Sequence, residues 1–120
     1  MKRYPLVLNG TSVQEIQDGD TLAAVQYEVT TDNDLSFDLS LGNNFECTPT
    51  ANGALTFTNH KRGQSGCILL KNTGGYTITK AATTKSDVLF LYDISTAGTY
   101  LIQYYDDGTN TYVMTAEAMV

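Results

Sequence analysis

The alternation of apolar and polar residues predicts short β-strands along the whole chain and is clearest within residues 52–80. Residues 54–59 (ALTFTN) and 76–79 (YTIT) alternate apolar with polar side chains, and residues 67–71 are mostly apolar. Glycine-containing turns separate these runs. Alternation over about four to eight residues between Gly and Asn is typical of strands that bury one face. We therefore predict a β-meander here, with strands of the same kind before and after it.

Two further runs predict strands that differ in burial. Every second residue is apolar in residues 35–41 (LSFDLSL), which predicts a half-buried strand. Residues 88–94 (VLFLYDI) form the most continuously apolar run of the chain. Such a run is typical of a strand buried on both faces, so we predict a central strand at residues 88–94.

Turn signals predict hairpins near both ends of the chain. Asn9-Gly10 separates residues 4–8 from residues 11–16, and Asn-Gly favours a type I′ hairpin because both turn residues need positive φ. Residues 106–110 (DDGTN) predict a second hairpin. With about eight to ten short strands, the expected fold is all-β, as a single antiparallel β-sandwich or jelly-roll-like barrel.

Length and charge limit the kinds of partner. A chain of 120 residues is predicted to be one domain, with an N-terminal hairpin segment at residues 1–25 and a β-sandwich body at residues 26–120. The net charge of −6 argues against binding of nucleic acid. Eight acidic residues but only two basic ones precede residue 60, so oppositely charged faces could pair between copies or could simply be solvated.

The sequence carries no targeting or membrane signal. No apolar run approaches the roughly 20 residues of a membrane helix, and the N-terminal apolar stretch is too short for a signal peptide. We therefore expect no membrane partner and synthesis in a cytoplasm. Cys47 and Cys67 could form a disulfide between neighbouring strands, but without a secretion signal two free, buried thiols are favoured.

Few residues have the chemistry that catalysis or metal binding needs. His60, the single histidine, is predicted to be an exposed turn residue, and GQSG around Ser65 is not a nucleophile elbow. Oxygen-bearing residues alternate through residues 32–38 loosely as in a calcium loop, but Phe37 occupies the glycine position. We therefore predict no enzyme, no metal and no cofactor. The alternative is a small glycan hydrolase, which needs a carboxylate pair. The available carboxylates are Asp38, Asp93 and Asp106.

Adjacent tyrosines indicate a contact surface. Tyr104 and Tyr105 follow each other in a predicted strand, so one must face outward if the other faces inward. Outward tyrosines are common at interfaces, although they also occur as ordinary surface rings. We predict that Tyr104 and Tyr105 contribute to partner contact.

Five short segments and Phe45 together resemble a β-domain found in structural proteins of tailed bacteriophages. They are DLSLGN at residues 38–43 followed by Phe45, GALTFTN at 53–59, GQSG at 63–66, GGYTI at 74–78 and DDG at 106–108. The opening residues 1–22 are similar to a segment common in phage fibre and decoration proteins. The resemblance covers most of the chain. The chain departs from the family at residues 80–86 (KAATTKS), where the family often has a loop rich in Trp and Pro.

The resemblance implies a non-enzymatic capsid decoration (cement) protein. Such proteins trimerise on the outer shell, contact the major capsid protein and staple neighbouring capsomers, so each copy would be made in the host bacterial cytoplasm and end in the virion. The predicted contacts are Arg3 and Tyr4 in the opening segment and Lys61 and Arg62 in a basic turn. The alternative is a tail-fibre or receptor-binding module that contacts a host glycan or protein. The short chain, beginning at its own Met, favours decoration.

Overall fold

The computed structural model of the chain describes residues 6–9, 12–15 and 28–120. Near the N-terminus, β1 (Leu6–Asn9) pairs antiparallel with β2 (Ser12–Glu15), and Asn9 lies opposite Ser12. This pairing confirms the predicted hairpin, although Asn9, predicted as a turn residue, is the last residue of β1.

From Thr30 onward the chain winds back and forth between two sheets. The larger sheet receives β3 (Thr30–Thr31), β5 (Asn44–Cys47) and β7 (Ser65–Asn72), and the smaller sheet receives β4 (Ser36–Asp38), β6 (Gly53–Thr58) and β8 (Ile78–Lys80). Each strand pairs in parallel with the next strand of its own sheet. The result is a solenoid-like stack of three coils, each made of one strand from each sheet.

The last part of the chain closes the larger sheet. It contains β9 (Thr84–Lys85), α1 (Phe90–Ile94), β10 (Gly98–Asp106) and β11 (Thr111–Thr115). β10 pairs antiparallel with β7 and with β11, while β9 pairs in parallel with β11. The larger sheet therefore has the order β3-β5-β7-β10-β11-β9, and the smaller sheet has the order β4-β6-β8.

Aromatic side chains fill the space between the two sheets. The ring of Phe37 lies 5.2 Å from Phe45 and 5.6 Å from Phe57, and Phe57 lies 5.6 Å from Tyr104. Phe37 is completely buried. Burial of such large rings is the main source of stability for a small β-domain. Aliphatic residues extend this core along the coils: Leu35, Leu39, Leu55, Ile68, Leu70, Ile78, Ile94 and Ile102.

Gly66 allows the coils to stack closely. A Cβ atom at this position would lie 1.9 Å from the carbonyl oxygen of Asn43, which belongs to the preceding coil. The side chain of Gln64 completes the contact, since its Nε2 donates to the carbonyl oxygens of Leu39 and Gly42, both at 2.8 Å. These bonds satisfy carbonyl groups that a turn would otherwise leave without partners.

The prediction of an all-β chain is confirmed, but the predicted antiparallel sandwich or jelly-roll barrel is wrong because the successive coils pair in parallel. The meander predicted at residues 52–80 is also wrong. β6 and β7 belong to different sheets, and β6 pairs with β8 instead. Alternation shows that a strand buries one face, but it does not identify the neighbouring strand.

The central strand predicted at residues 88–94 is wrong as well, because this run contains α1. Phe90 and Ile94, one helical turn apart, are the buried residues, whereas Val88 is 95% exposed. The carboxylate of Asp87 accepts hydrogen bonds from the backbone N–H groups of Leu89 and Phe90, which favours a helix start over a strand.

Two other predictions are confirmed in large part. Leu35, Phe37 and Leu39 are buried as predicted for residues 35–41, but Leu41 is exposed. Cys47 and Cys67 are free thiols on neighbouring strands, with Cys47 buried and Cys67 half-buried. They cannot face each other, because Cys67 lies opposite Asn44 in the β5–β7 register.

Candidate partner-binding surface

The outward face of the larger sheet is the candidate functional surface. Strand alternation turns every second residue of its strands away from the core. The pairing register aligns these outward residues in four rows, which are Lys71–Thr99, Glu46–Leu69–Leu101, Asn44–Cys67–Gln103–Met114, and Ser65–Tyr105–Tyr112–Lys85.

The centre of this face is apolar and uncharged. Met114 is 61% exposed, Tyr105 50%, Tyr112 46% and Leu101 38%. Solvent-facing positions of a sheet are usually polar, whereas aromatic residues and Met are enriched at the centre of protein interfaces. A shallow groove of about 300 Å³ runs between β10 and β11 at this place. We call the patch formed by Leu69, Leu101, Tyr105, Tyr112 and Met114 the apolar face.

Tyr112 is held in place by a polar partner at the edge of the apolar face. Its hydroxyl donates to Oδ2 of Asp107 at 3.0 Å, and the backbone N–H groups of Thr109 and Asn110 donate to Oδ1 of the same carboxylate. The hydrogen bond to Asp107, together with its negative charge, raises the pKa of Tyr112. The ring is therefore oriented before any partner arrives, which lowers the entropic cost of binding.

The two adjacent tyrosines of the predicted contact site face opposite sides of the larger sheet. Tyr105 faces solvent on the apolar face, as its prediction requires. Tyr104 is only 4% exposed, and its hydroxyl donates to the carbonyl oxygen of Asn43 at 2.8 Å. Burial raises the pKa of Tyr104. The prediction that Tyr104 contacts a partner is therefore wrong, because its ring belongs to the core and its hydroxyl joins two coils.

The basic turn lies near one end of the apolar face. Lys61 and Arg62 are exposed, and Gly63 donates its N–H to the carbonyl oxygen of Asp106, the residue that follows Tyr105. Partner contact by Lys61 and Arg62 stays a prediction. The other two predicted contacts, Arg3 and Tyr4, lie outside the residues that the structure describes.

A buried carboxylate ties this turn to the β10–β11 loop. Asp106 is fully buried, and its Oδ1 accepts hydrogen bonds from His60 Nδ1 and Thr111 Oγ1, both at 2.7 Å. Its Oδ2 accepts from the N–H groups of Lys61 at 2.6 Å and Gly108 at 3.1 Å. Burial opposes the charged form, but the bonds from His60, Thr111 and the two backbone groups outweigh it and lower the pKa of Asp106.

Sequence reasoning missed this pair. His60 was predicted to be an exposed turn residue, whereas only 20% of its side chain is exposed and it is hydrogen-bonded to Asp106. The two residues are 46 positions apart, so no local pattern joins them. The available signal was the single histidine next to a glycine-containing turn, together with an aspartate at the end of an apolar strand.

A polar groove of about 570 Å³ opens beside His60. Its polar lining consists of Ser40, Asn43, Asn59, His60, Lys61 and Gln64. Ser40, the serine among the described lining residues, donates its hydroxyl to Asp38 at 2.6 Å rather than to His60. Among the described residues, the groove offers hydrogen-bonding side chains that include amides, an imidazole and an ammonium group.

The segments that carry the phage resemblance have structural roles at coil contacts. Gln64 of the GQSG segment binds the turn formed by the DLSLGN segment, and Asp106 of the DDG segment binds the turn at residues 60–63. Asn72, which is fully buried, donates to the carbonyl oxygens of Tyr76 and Ile94 and thereby fixes the GGYTI segment. These segments therefore specify how the coils pack.

An acidic turn lies on another part of the surface. Burial and a hydrogen bond shared with Asp34 raise the pKa of Asp32 to about 6, and a groove of about 470 Å³ adjoins the pair. Within the part of the chain that the structure describes, no three His, Cys, Asp or Glu side chains converge as a metal site would require.

None of the helices that the structure describes has the length and hydropathy needed to cross a membrane. Comparison of the chain with family models, with curated proteins and with solved structures finds no match.

Proposed function

We propose that this chain is a non-enzymatic structural protein of a tailed-bacteriophage virion, and that it acts as a capsid decoration protein. Its work is mechanical: copies of the chain associate, most simply as trimers, and each assembly engages the major capsid protein at several points. Several modest contacts made at once hold a shell more tightly than any single contact.

The observation that supports this proposal best is the apolar face. Its exposed Leu, Met and Tyr side chains lie on a rigid sheet, and such a patch is typical of a surface that another protein covers. The sequence resemblance supports the virion context, because the segments that carry it are the ones that build the coil contacts behind this face.

The test is the copy number of the chain in purified particles of the phage that encodes it, measured by quantitative mass spectrometry against the major capsid protein. The decoration role requires copies near parity with capsid subunits, or at a fixed fraction of them. Absence from the particles would refute a virion role.

A tail-fibre or receptor-binding module is the second candidate. The polar groove beside His60 favours it, because the amide and imidazole groups there are suited to the hydroxyl groups of a glycan. In that case each particle carries only a small number of copies of the chain, as expected for a component of the tail. The purified chain would also bind defined sugars on a glycan array.

A further inference from the structure

The polar groove beside His60 presents hydrogen-bonding atoms that have no partner among the described residues. Its volume of about 570 Å³ lies within the range of roughly 300 to 1,000 Å³ that is typical of small-molecule sites. Its described lining comes from the turn after β4 and the turn after β6. Gln64 joins the two turns, because its Nε2 donates to the carbonyl oxygens of Leu39 and Gly42. The groove is therefore a fixed part of the fold.

The imidazole of His60 is oriented from behind by a carboxylate. Asp106 is fully buried and already accepts the hydroxyl of Thr111, and an ionised carboxylate can only accept hydrogen bonds. Nδ1 of His60, 2.7 Å away, must therefore carry the proton, which makes Nε2 of the neutral ring an acceptor. Nε2 has no partner among the described residues, and no buried side-chain nitrogen or oxygen among them lacks one, so Nε2 is open to the groove that His60 lines.

A second oriented acceptor belongs to Asn59. This residue has φ of 55°, which Asn adopts more readily than most residues. Its Nδ2 donates at 2.8 Å to Oδ1 of Asp38, the oxygen that also accepts the N–H and the hydroxyl of Ser40. Because a carboxylate only accepts, the amide is held with its Oδ1 as a further acceptor.

Charges of both signs lie around the groove. Lys61 lines it with an exposed side chain, and Arg62 follows in the same turn. Asp38 is hydrogen-bonded to two of the lining residues, and Asp107 is close enough to His60 for the two to interact electrostatically. The groove therefore combines donors and acceptors without a single prevailing charge.

An apolar side chain completes the site. Leu41 lines the groove and is 58% exposed, so its methyl groups are available to a ligand. Small-molecule sites commonly combine such an apolar surface with a few oriented polar groups.

We propose that this groove binds an uncharged saccharide, with hydroxyl groups hydrogen-bonded to His60 Nε2, Asn59 Oδ1 and the Lys61 ammonium, and ring C–H groups against Leu41. Each hydroxyl can donate to an acceptor and accept from a donor, as this mixed lining requires. A phosphate or carboxylate only accepts and would leave the two acceptors without donors, and an ammonium group only donates. This inference rests on the receptor-binding candidate of the proposed function, to which it gives a ligand class and binding residues.

The first experiment is an NMR titration of the ¹⁵N-labelled chain. The probes are the methyl glycosides of glucose, galactose, mannose and N-acetylglucosamine, with glucuronate and glucosamine as charged comparisons. At least one uncharged glycoside should shift the backbone signals of residues 40–43 and 59–61 with a Kd on the order of 1 mM, as suits a small ligand in an open groove. Long-range ¹H–¹⁵N spectra in mildly alkaline solution should show His60 protonated at Nδ1, and the Nε2 signal should move on binding.

The second experiment removes the groups that face the ligand. His60→Asn can keep a donor to the buried carboxylate but lacks Nε2, while Lys61→Ala and Leu41→Ala change only exposed side chains. Each should weaken binding about fivefold or more, because it removes a contact that the ligand makes. Lys71→Ala and Leu89→Ala are the matched controls, since they remove an exposed Lys and an exposed Leu outside the groove and should leave the Kd unchanged. Circular dichroism confirms folding, and the two exposed groove variants decide the test if His60→Asn unfolds.

Three results would overturn the inference: no movement of the groove signals with any uncharged glycoside, tighter binding of glucuronate or glucosamine than of all the uncharged probes, or groove variants that bind as well as the controls. The particle copy number separates these from failure of the proposed function. Groove binding by a chain present near parity with capsid subunits contradicts only the tail role. A chain present at a few copies per particle that binds no glycoside contradicts only the ligand assigned here.

Discussion

Replacing the buried carboxylate of Asp106 should destabilise the fold far more than replacing an exposed one. The side chain accepts four hydrogen bonds, from His60, Lys61, Gly108 and Thr111, at distances of 2.6 to 3.1 Å. All four donors lie outside β10, and two of them, His60 and Lys61, follow β6, so the carboxylate connects the turn after β6 to the end of the larger sheet. Both Asp106→Asn and Asp106→Ala remove the charge, but Asn retains one acceptor oxygen.

The magnitude follows from the bonds that each variant loses. A hydrogen bond to a charged group contributes about 1 kcal/mol more than a neutral one, and burying a neutral amide costs less than burying a carboxylate. Asp106→Asn weakens the two bonds to the oxygen that remains and loses the two bonds to the oxygen that an amide NH2 group replaces, and with the cheaper burial as a partial offset we expect a loss of about 3 kcal/mol. Asp106→Ala leaves all four donors without their acceptor, and we expect a loss of about 4 kcal/mol.

The assay is urea unfolding at neutral pH followed by tyrosine fluorescence, which suits a chain with eight tyrosines and no tryptophan. Asp93→Asn is the control, because it removes the same charge from an exposed position on α1 and should change the unfolding free energy by less than about 0.5 kcal/mol. Equal unfolding free energies for Asp106→Asn and Asp93→Asn would refute the assigned role of the carboxylate.

The same pair of proteins gives a test of pH dependence. Folding lowers the pKa of Asp106 below its ordinary value of 3.8, so the folded state favours the ionised form. The resulting stability is fully present above pH 3.8 and is lost as the pH falls through the lower folded value. The difference in unfolding free energy between wild type and Asp106→Asn should therefore be constant near neutral pH and shrink below about pH 4. A difference that grows in acid would have the wrong sign.

Three further predictions concern the coils. Gly66→Ala should lower the unfolding free energy by more than about 3 kcal/mol, because its Cβ would overlap a backbone oxygen. In the control Gly42→Ala the nearest atom lies 3.3 Å from the added Cβ, so the loss should be less than about 1 kcal/mol. Similar urea midpoints for the two variants would contradict the close coil contact. Burial raises the pKa of Cys47 to about 11, so at pH 8 iodoacetamide should alkylate Cys67 first, as peptide mass spectrometry can check. The carboxyl ¹³C signal of Asp32 should titrate near pH 6, because burial favours the neutral form of the side chain. Protonation of Asp32 should therefore stabilise the folded state as the pH falls from about 6 toward 3.8. A titration midpoint near pH 4 would contradict this environment.

Local patterns in the sequence determined the class of secondary structure and several turns. The apolar alternation at residues 35–41 buried Leu35, Phe37 and Leu39 as predicted, and turn chemistry located the hairpins near residues 9–12 and 106–111. These features depend on neighbours within a few positions, which the sequence displays directly. The alternation also required that Tyr104 and Tyr105 face opposite ways.

Packing between distant segments decided the rest. Which tyrosine faced outward depended on the aromatic core, and the pairing of β6 with β8 rather than β7 depended on how the coils stack. The contact that excludes a side chain at Gly66 and the bond between His60 and Asp106 both join residues far apart in the chain. The apolar face arises in the same way, since β10 and β11 present their exposed residues beside those of β7 only after the sheet has formed. Strand alternation specifies which side chains share a face, whereas the identity of the neighbouring strand is set by the lowest free energy of the whole fold.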